Sequence, residues 1–341
     1  MSILTGTQYY AQTLCAPLAL LINAILIQLI LYRSPKRLGV YKYLMIYISM
    51  SEILYAFLDV LIAPDFFCFN TVFLVISQSP KLSTPVWTLL PLHLVFTSMF
   101  GVFMAMFAIH FVYRYLVISG NPFIKSLSPG KLAVWLLSPV LYGGIWALCL
   151  VTVLGHNPYT DRILEEDWLP RRGLTTKDVA YIGCNYYKTD HNNVESINWM
   201  VMLGMFFIMS MVSISIFTMI FFATMSYRKM RILMKINTNS KNYRQLQLQL
   251  LNSLVAQALI PACLMQGPSC IIFCAPFFHK GTEVMGVVLG ITVALYPVLD
   301  PLPTIFIIKH YRVAVMKLFF CSKTSRTANP GSTPYAISAT A

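Results

Sequence analysis

Three acidic residues stand where acids are expensive. Glu52 and Asp59 fall inside one long apolar run and Asp300 inside another. A carboxylate near the centre of a bilayer costs about 2.5–3.5 kcal/mol on insertion scales, so each must face a bundle interior, water or a partner. Seven residues separate Glu52 from Asp59, and a helix would carry both on one face. The chemistry open to them is a polar switch or ion site between the second and seventh runs, or interhelical hydrogen bonding that only fixes packing. His110 and Arg114, four residues apart in the run AIHFVYRY that ends at Tyr115, also share a helix face. Arg114 either reaches a partner in the bundle or a docking protein, or snorkels to the headgroups. His110 has no companion at metal-ligand spacing, which favours packing. No cofactor and no metal is expected.

The stretch Tyr296-Pro297-Val298-Leu299-Asp300-Pro301-Leu302-Pro303 puts three prolines and an acid near one end of a run, costly in backbone and in charge; a flaw of that size reads as a hinge. Lys309, His310, Tyr311 and Arg312 follow, and then VAVMKLFF, which suits a short amphipathic helix on the membrane surface. It ends at Cys321, a palmitoylation candidate. Cys68 and Cys184 are the two cysteines placed in outward loops, where either a disulfide or two free thiols are compatible with the compartment; Cys15, Cys149, Cys263, Cys270 and Cys274 read as small buried apolar groups. The outer halves of the third, fifth and sixth runs are rich in Met and aromatics with scattered polar groups: His93, Phe96, Thr97, Met99, Phe100, Trp199, Met202, Met205, Gln266 and Phe273. A cavity so lined would take a small, mostly apolar ligand, and ordinary packing is the alternative for each residue alone.

The elements that must hold these residues are membrane helices. Of the 341 residues, 57% are hydrophobic and only 11% charged, too few charges for a water-soluble surface, and mean hydropathy is +0.67. Apolar runs at about 10–32, 43–63, 89–113, 132–154, 199–226, 248–276 and 284–308 are each long enough to span roughly 30 Å of hydrocarbon. The first run lacks a basic flank and is expected to persist as a helix. Prolines 261, 268, 297, 301 and 303 interrupt the last two, as membrane helices tolerate. With seven spans, one set of connections, including 33–42, 114–131, 227–247 and the end of the chain, holds most of the 25 Lys and Arg and none of the 12 acids. The other set mixes both signs. By the positive-inside rule the C-terminus is inside and the N-terminus outside. The net charge of +13 is therefore a topology signal and not a nucleic-acid footprint, for which no basic stripe interleaved with aromatics is present. The long loop 155–198 is expected outside, and the tail from Thr324, rich in Ser, Thr, Pro and Ala, is expected to be disordered. There is no metalloprotease, nucleophile-elbow, P-loop or dinucleotide motif, no lysine in the seventh run before Lys309 for a buried Schiff base, and no glycosylation sequon.

Four stretches carry a resemblance: RSPKRLGVYKYLMIYISMSEILYAFLD at 33–59, AIHFVYRY at 108–115, LNSLVAQALIP at 251–261 and YPVLDPLPTIFIIKHYR at 296–312. Together they resemble the nematode chemosensory serpentine receptors of the Str group, class r and its relatives, over nearly the whole chain. The resemblance implies an all-α, seven-helix G-protein-coupled receptor in the plasma membrane, reaching the sensory cilium, with a small-molecule chemical cue as ligand and a heterotrimeric G protein as partner; a receptor oligomer stays open. It implies that Arg114 stands where rhodopsin-like receptors place the inner-end arginine of helix three, with His110 and Tyr113 around it in place of the usual acid. It also implies that Asp300-Pro301 is a version of the helix-seven Asn-Pro motif. Helix three lacks its outer cysteine, so Cys68 becomes the alternative partner for Cys184. Rival readings are an ion- or proton-coupled transporter or channel, and a receptor-like protein that pairs with other receptors without signalling. No internal repeat supports a transporter.

Overall fold

The structure, a computed structural model, describes residues 3–35, 38–125, 128–189, 195–235 and 241–320. Cys321 and the tail lie outside the described residues. Among the described residues seven helices are long and apolar enough to cross a membrane: α1 (Ile3–Arg33), α2 (Tyr41–Ile62), α3 (Val86–Ser119), α4 (Pro129–Val153), α5 (Trp199–Lys235), α6 (Lys241–Pro261, continued through Ala262–Gln266 and Gly267–Cys274) and α7 (Glu283–Leu299, continued by Pro301–Ile307). In hydrocarbon only internally bonded backbone is tolerated, which is why apolar runs of this length become helices. A last helix, α8 (Lys309–Phe320), follows the bundle.

Local chemistry sets the helix ends. The Ser128 hydroxyl accepts from the Lys131 N–H with Pro129 in the first turn of α4, a start that supplies one orphan donor with an acceptor and wastes none on the proline. Gly120 ends α3 at φ 69°, where a side chain would be strained. Between Pro261 and Pro268 the sixth helix widens into a π turn, Ala262–Gln266, the kind of bulge that bends a helix where its bond ladder is interrupted. Helices α3 and α7 bury 61% of their most apolar windows and α4 and α6 only 28%, so α3 and α7 form the bundle axis and α4 and α6 lie nearer the periphery.

The connections at one end are not plain loops. Strands β1 (Asp65–Phe69), β2 (Val72–Gln78) and β3 (Val179–Asn185) form an antiparallel sheet across that end, with β2 in the centre. The register stacks Phe66, Val75 and Ile182 in one row and Cys68, Phe73 and Cys184 in the next. Both rows face the bundle core. The opposite face carries Phe67, Val72, Leu74, Ile76, Val179 and Tyr181, which pack under Leu164, Trp168 and Leu169 to make a small second core. A short hairpin, β4 (Tyr187–Thr189) with β5 (Glu195–Ile197), leads into α5.

This register corrects the disulfide expectation. Cys68 and Cys184 are both free and buried, on the two outer strands opposite the same residue, Phe73. Two strand spacings of ~4.8 Å separate them, beyond the ~7 Å within which Cα atoms can be bridged. Burial pushes the Cys68 thiol up to about 11 and the Cys184 thiol up to about 12. Cys15 and Cys149 are buried as expected of small apolar groups, whereas Cys263, Cys270 and Cys274 are exposed on the outside of α6.

Candidate functional site

Three connected places in the bundle hold the residues singled out by the sequence. The first is a cavity of about 100 Å³ directly beneath the sheet, on the scale of the ~150 Å³ engineered cavity that takes benzene. Phe66, Phe73, Val75, Ile182 and Cys184 roof it; Phe96, Thr97 and Phe100 of α3, Trp146 of α4, Met205 and Ile208 of α5 and Ser269 and Phe273 of α6 wall it; Tyr55 of α2 and Val293 of α7 also line it. Among the described residues no charged side chain lines it. Of the expected ligand contacts, Phe96, Thr97, Phe100, Met205 and Phe273 are in the wall and five residues are not. His93 is buried with its Nδ1 2.9 Å from the Ser77 hydroxyl, bracing β2 onto α3. Met99 is packed in the core and Met202 beside it. Trp199 points outward, 67% exposed. The Gln266 amide sits in the π turn and donates to the Met104 sulfur.

The second place is a polar knot in the middle of the bundle. Glu52 and Asp300 are both buried here, and Asp300 Oδ1 finds no hydrogen-bond partner among the described residues. The Tyr296 hydroxyl donates to Glu52 Oε1 at 3.5 Å and Gln257 Nε2 to Asp300 Oδ2 at 2.8 Å, while Asn23 Nδ2 donates to the Pro297 carbonyl at 3.0 Å. Helices α1, α2, α6 and α7 thus meet at two buried carboxyls. Asp59 does not join them: it accepts from Gln12 Nε2 at 3.2 Å, and Gln8 and Gln12 both donate to the Pro64 carbonyl, tying α1 to the start of the sheet. Pro301 opens the last segment of α7, where Thr304 and Ser253 of α6 share a hydrogen bond at 2.9 Å.

Aromatic rings join these two places. Tyr55, at the cavity, stacks on Phe96 at 4.8 Å and meets Phe103 edge-on at 5.5 Å; Phe103 meets Tyr296 edge-on at 5.1 Å, and Tyr296 holds Glu52. Such edge-on contacts are directional, worth about 0.5–1.5 kcal/mol beyond burial.

The third place is the basic end. Arg114 does not snorkel; it is 1% exposed. Its guanidinium lies 3.4 Å from the Tyr41 ring centroid and Nη1 donates to Gln247 Oε1 of α6 at 2.9 Å, while Nε and Nη2 find no hydrogen-bond acceptor among the described residues. Tyr41 stacks on Tyr113 and its hydroxyl is 3.5 Å from His110 Nδ1. His110 is therefore part of the aromatic cage. Tyr311 is buried with its hydroxyl 2.7 Å from that of Ser34; Tyr115 is half-buried against Phe222, and Arg312 is exposed. The acid that would normally hold such an arginine is replaced by an amide and a ring. Sequence reasoning located Arg114 but not Gln247, whose only signal is its place in the polar start of α6.

A seven-helix bundle with a roofed apolar cavity at one end and a buried arginine under the sixth helix at the other defines a receptor-type multi-pass membrane protein. Residues 8–316 match the family described as "Serpentine type 7TM GPCR chemoreceptor Str", and the chain belongs to that family. It is 33% identical over 307 residues to the "G-protein coupled receptor str-217" of Caenorhabditis elegans, covering 90% of this chain and 88% of that one. It is 29% identical over 310 residues to the "Serpentine receptor class r-10" of Caenorhabditis briggsae, covering 90% and 89%.

Proposed function

We propose that this chain is a chemosensory receptor that binds a small, uncharged molecule in the cavity beneath the sheet and activates a heterotrimeric G protein at its basic end. The sheet end faces out and the basic end faces the cytoplasm, in line with the charge distribution between the connections. The observation that carries the reading is the chain of rings Tyr55, Phe103 and Tyr296, which runs from the cavity to the buried Glu52 carboxyl of α2. A ligand that binds better when Tyr55 shifts would bias Tyr296 and, through Glu52 and Asp300, the packing of α6 on α7. A ligand can move such an equilibrium only by its difference in affinity for the two arrangements; about 5.5 kcal/mol takes it from one extreme to the other. The hydrogen bond from Arg114 to Gln247 keeps α6 closed over the arginine. Once α6 withdraws, the two idle guanidinium nitrogens offer bidentate capture of a carboxylate or carbonyl oxygens from the G protein.

The test is heterologous expression with a calcium or cyclic-nucleotide readout against a panel of volatile and water-soluble compounds. Arg114→Ala is expected to reach the surface normally and to lose agonist-driven activation by tenfold or more; full signalling from that variant would retire the assignment. Ligand-evoked current in liposomes free of G protein would favour a channel or transporter instead.

A further inference from the structure

Among the described residues the cavity is roofed at the sheet end. Its roof is two layers thick, the sheet itself and the second core of Leu164, Trp168 and Leu169 above it. The margins are fastened as well. On the α7 side, Asn70 and Gly281 exchange two backbone hydrogen bonds at 3.0 Å, and the Phe66 carbonyl lies so close to Gly286 that a Cβ there would stand 2.0 Å from it. On the α4 side, the Gly183 N–H donates to the Leu154 carbonyl at 3.0 Å. Arg171 further ties the upper layer to α7 through Glu283 at 2.9 Å.

The sides differ. Helix α4 is pressed onto α3 and α5 with no room for a Cβ at Gly143, against Val102, or at Gly204, against Val153. Between the outer parts of α5 and α6 the contact is looser. The cavity touches both, at Met205 and Ile208 on one side and Ser269 and Phe273 on the other, yet among the described residues no hydrogen bond joins those two segments directly. Among the described residues the polar bridges sit at the top of the seam, where the Tyr186 and Tyr187 hydroxyls donate to the Phe273 and Phe277 carbonyls at 2.9 Å. On its outer face this part of α6 exposes Cys270, Ile271 and Cys274. At the base of the seam lies the π turn between Pro261 and Pro268, a natural pivot for the segment above it.

We infer that the ligand enters sideways from the hydrocarbon layer, through the seam between α5 and α6, with Phe273 as the gate. The receptor therefore reads the membrane-dissolved concentration of uncharged, lipid-soluble compounds and excludes permanently charged ones. This rests on reading the cavity as the ligand site, but its test needs neither ligand nor signalling.

Ile208→Cys, in the full chain reconstituted in liposomes, places a thiol in the cavity wall. It is treated with methyl methanethiosulfonate, neutral and membrane-soluble, or with its trimethylammonium-ethyl analogue, which stays in water. Occupancy at position 208 is read by mass spectrometry, and each rate is normalised to the same reagent on the denatured chain. The neutral reagent is expected to react at least tenfold faster on that scale. Phe273→Ala should speed it several-fold and leave the charged reagent unchanged, and Arg171→Ala should alter neither. Equal normalised rates, labelling by neither reagent, indifference to Phe273→Ala, or acceleration of the charged reagent by Arg171→Ala would each overturn the route. If Ile208→Cys does not fold, Met205→Cys serves in its place. A receptor that fails every signalling assay while keeping this labelling pattern would disprove the function and leave the route standing.

Discussion

At the scale of single residues, the unusual feature is a buried arginine held by an amide. A hydrogen bond to a charged group contributes about 1.5–3 kcal/mol, and that to Gln247 is the only one Arg114 makes to another side chain among the described residues. Gln247→Ala is therefore expected to loosen α6 and raise basal signalling about tenfold, measured as ligand-independent second messenger at matched surface expression; unchanged basal output would remove Gln247 from the lock. Arg114, Glu52 and Asp300 were legible in the sequence because charge inside apolar runs is costly and rare. Their partners were not: Gln247 and Gln257 are common polar residues, and which glutamine meets a charge is settled by helix rotation and by contacts far apart in the chain, as Arg114 meets Gln247 and Asp300 meets Gln257. The same limit explains Asp59, which shares a helix face with Glu52 yet bonds Gln12 instead of joining Asp300.

At the scale of elements, the helices followed from hydropathy and the sheet did not. The segment VFLVISQ is a short apolar run of strand length, but both of its faces are covered, so the alternation that marks a half-buried strand is absent. The preceding Asn70, at φ 45°, is the turn signal that was there to be read. Helices α3 and α5 also continue to Ser119 and Lys235, past the apolar runs; the end of α3 is packed against its neighbours, whereas that of α5 is largely exposed. Gly286→Ala is expected to push β1 off α7 and lower the melting temperature of the purified receptor, at an overpacking cost of about 1–3 kcal/mol, whereas Gly144→Ala, which meets nothing within 4 Å, should leave it unchanged; equal thermal shifts would deny β1 that seat. The buried thiols of the sheet supply a second check. With Cys68 held up to about 11 and Cys184 up to about 12, the reactive thiolate is scarce at neutral pH. Both should remain unalkylated by iodoacetamide at pH 7.5 in the folded receptor and appear as free thiols in mass spectra without reductant; a Cys68–Cys184 peptide would contradict the register.

At the scale of the whole molecule, composition and the sidedness of Lys and Arg carried the reading furthest, since lipid leaves a chain few ways to satisfy its backbone. An N-terminal epitope tag should be stained on intact cells and a C-terminal tag only after permeabilisation; both tags on one face would undo the proposed orientation.

The alternation along β2 also bears on how new selectivities arise. Phe73 and Val75 point at whatever occupies the cavity, while their neighbours Val72, Leu74 and Ile76 belong to the separate upper core. With the cavity as the proposed ligand site, exchanging the first pair would retune ligand preference like changing the bit of a key, with the handle left untouched.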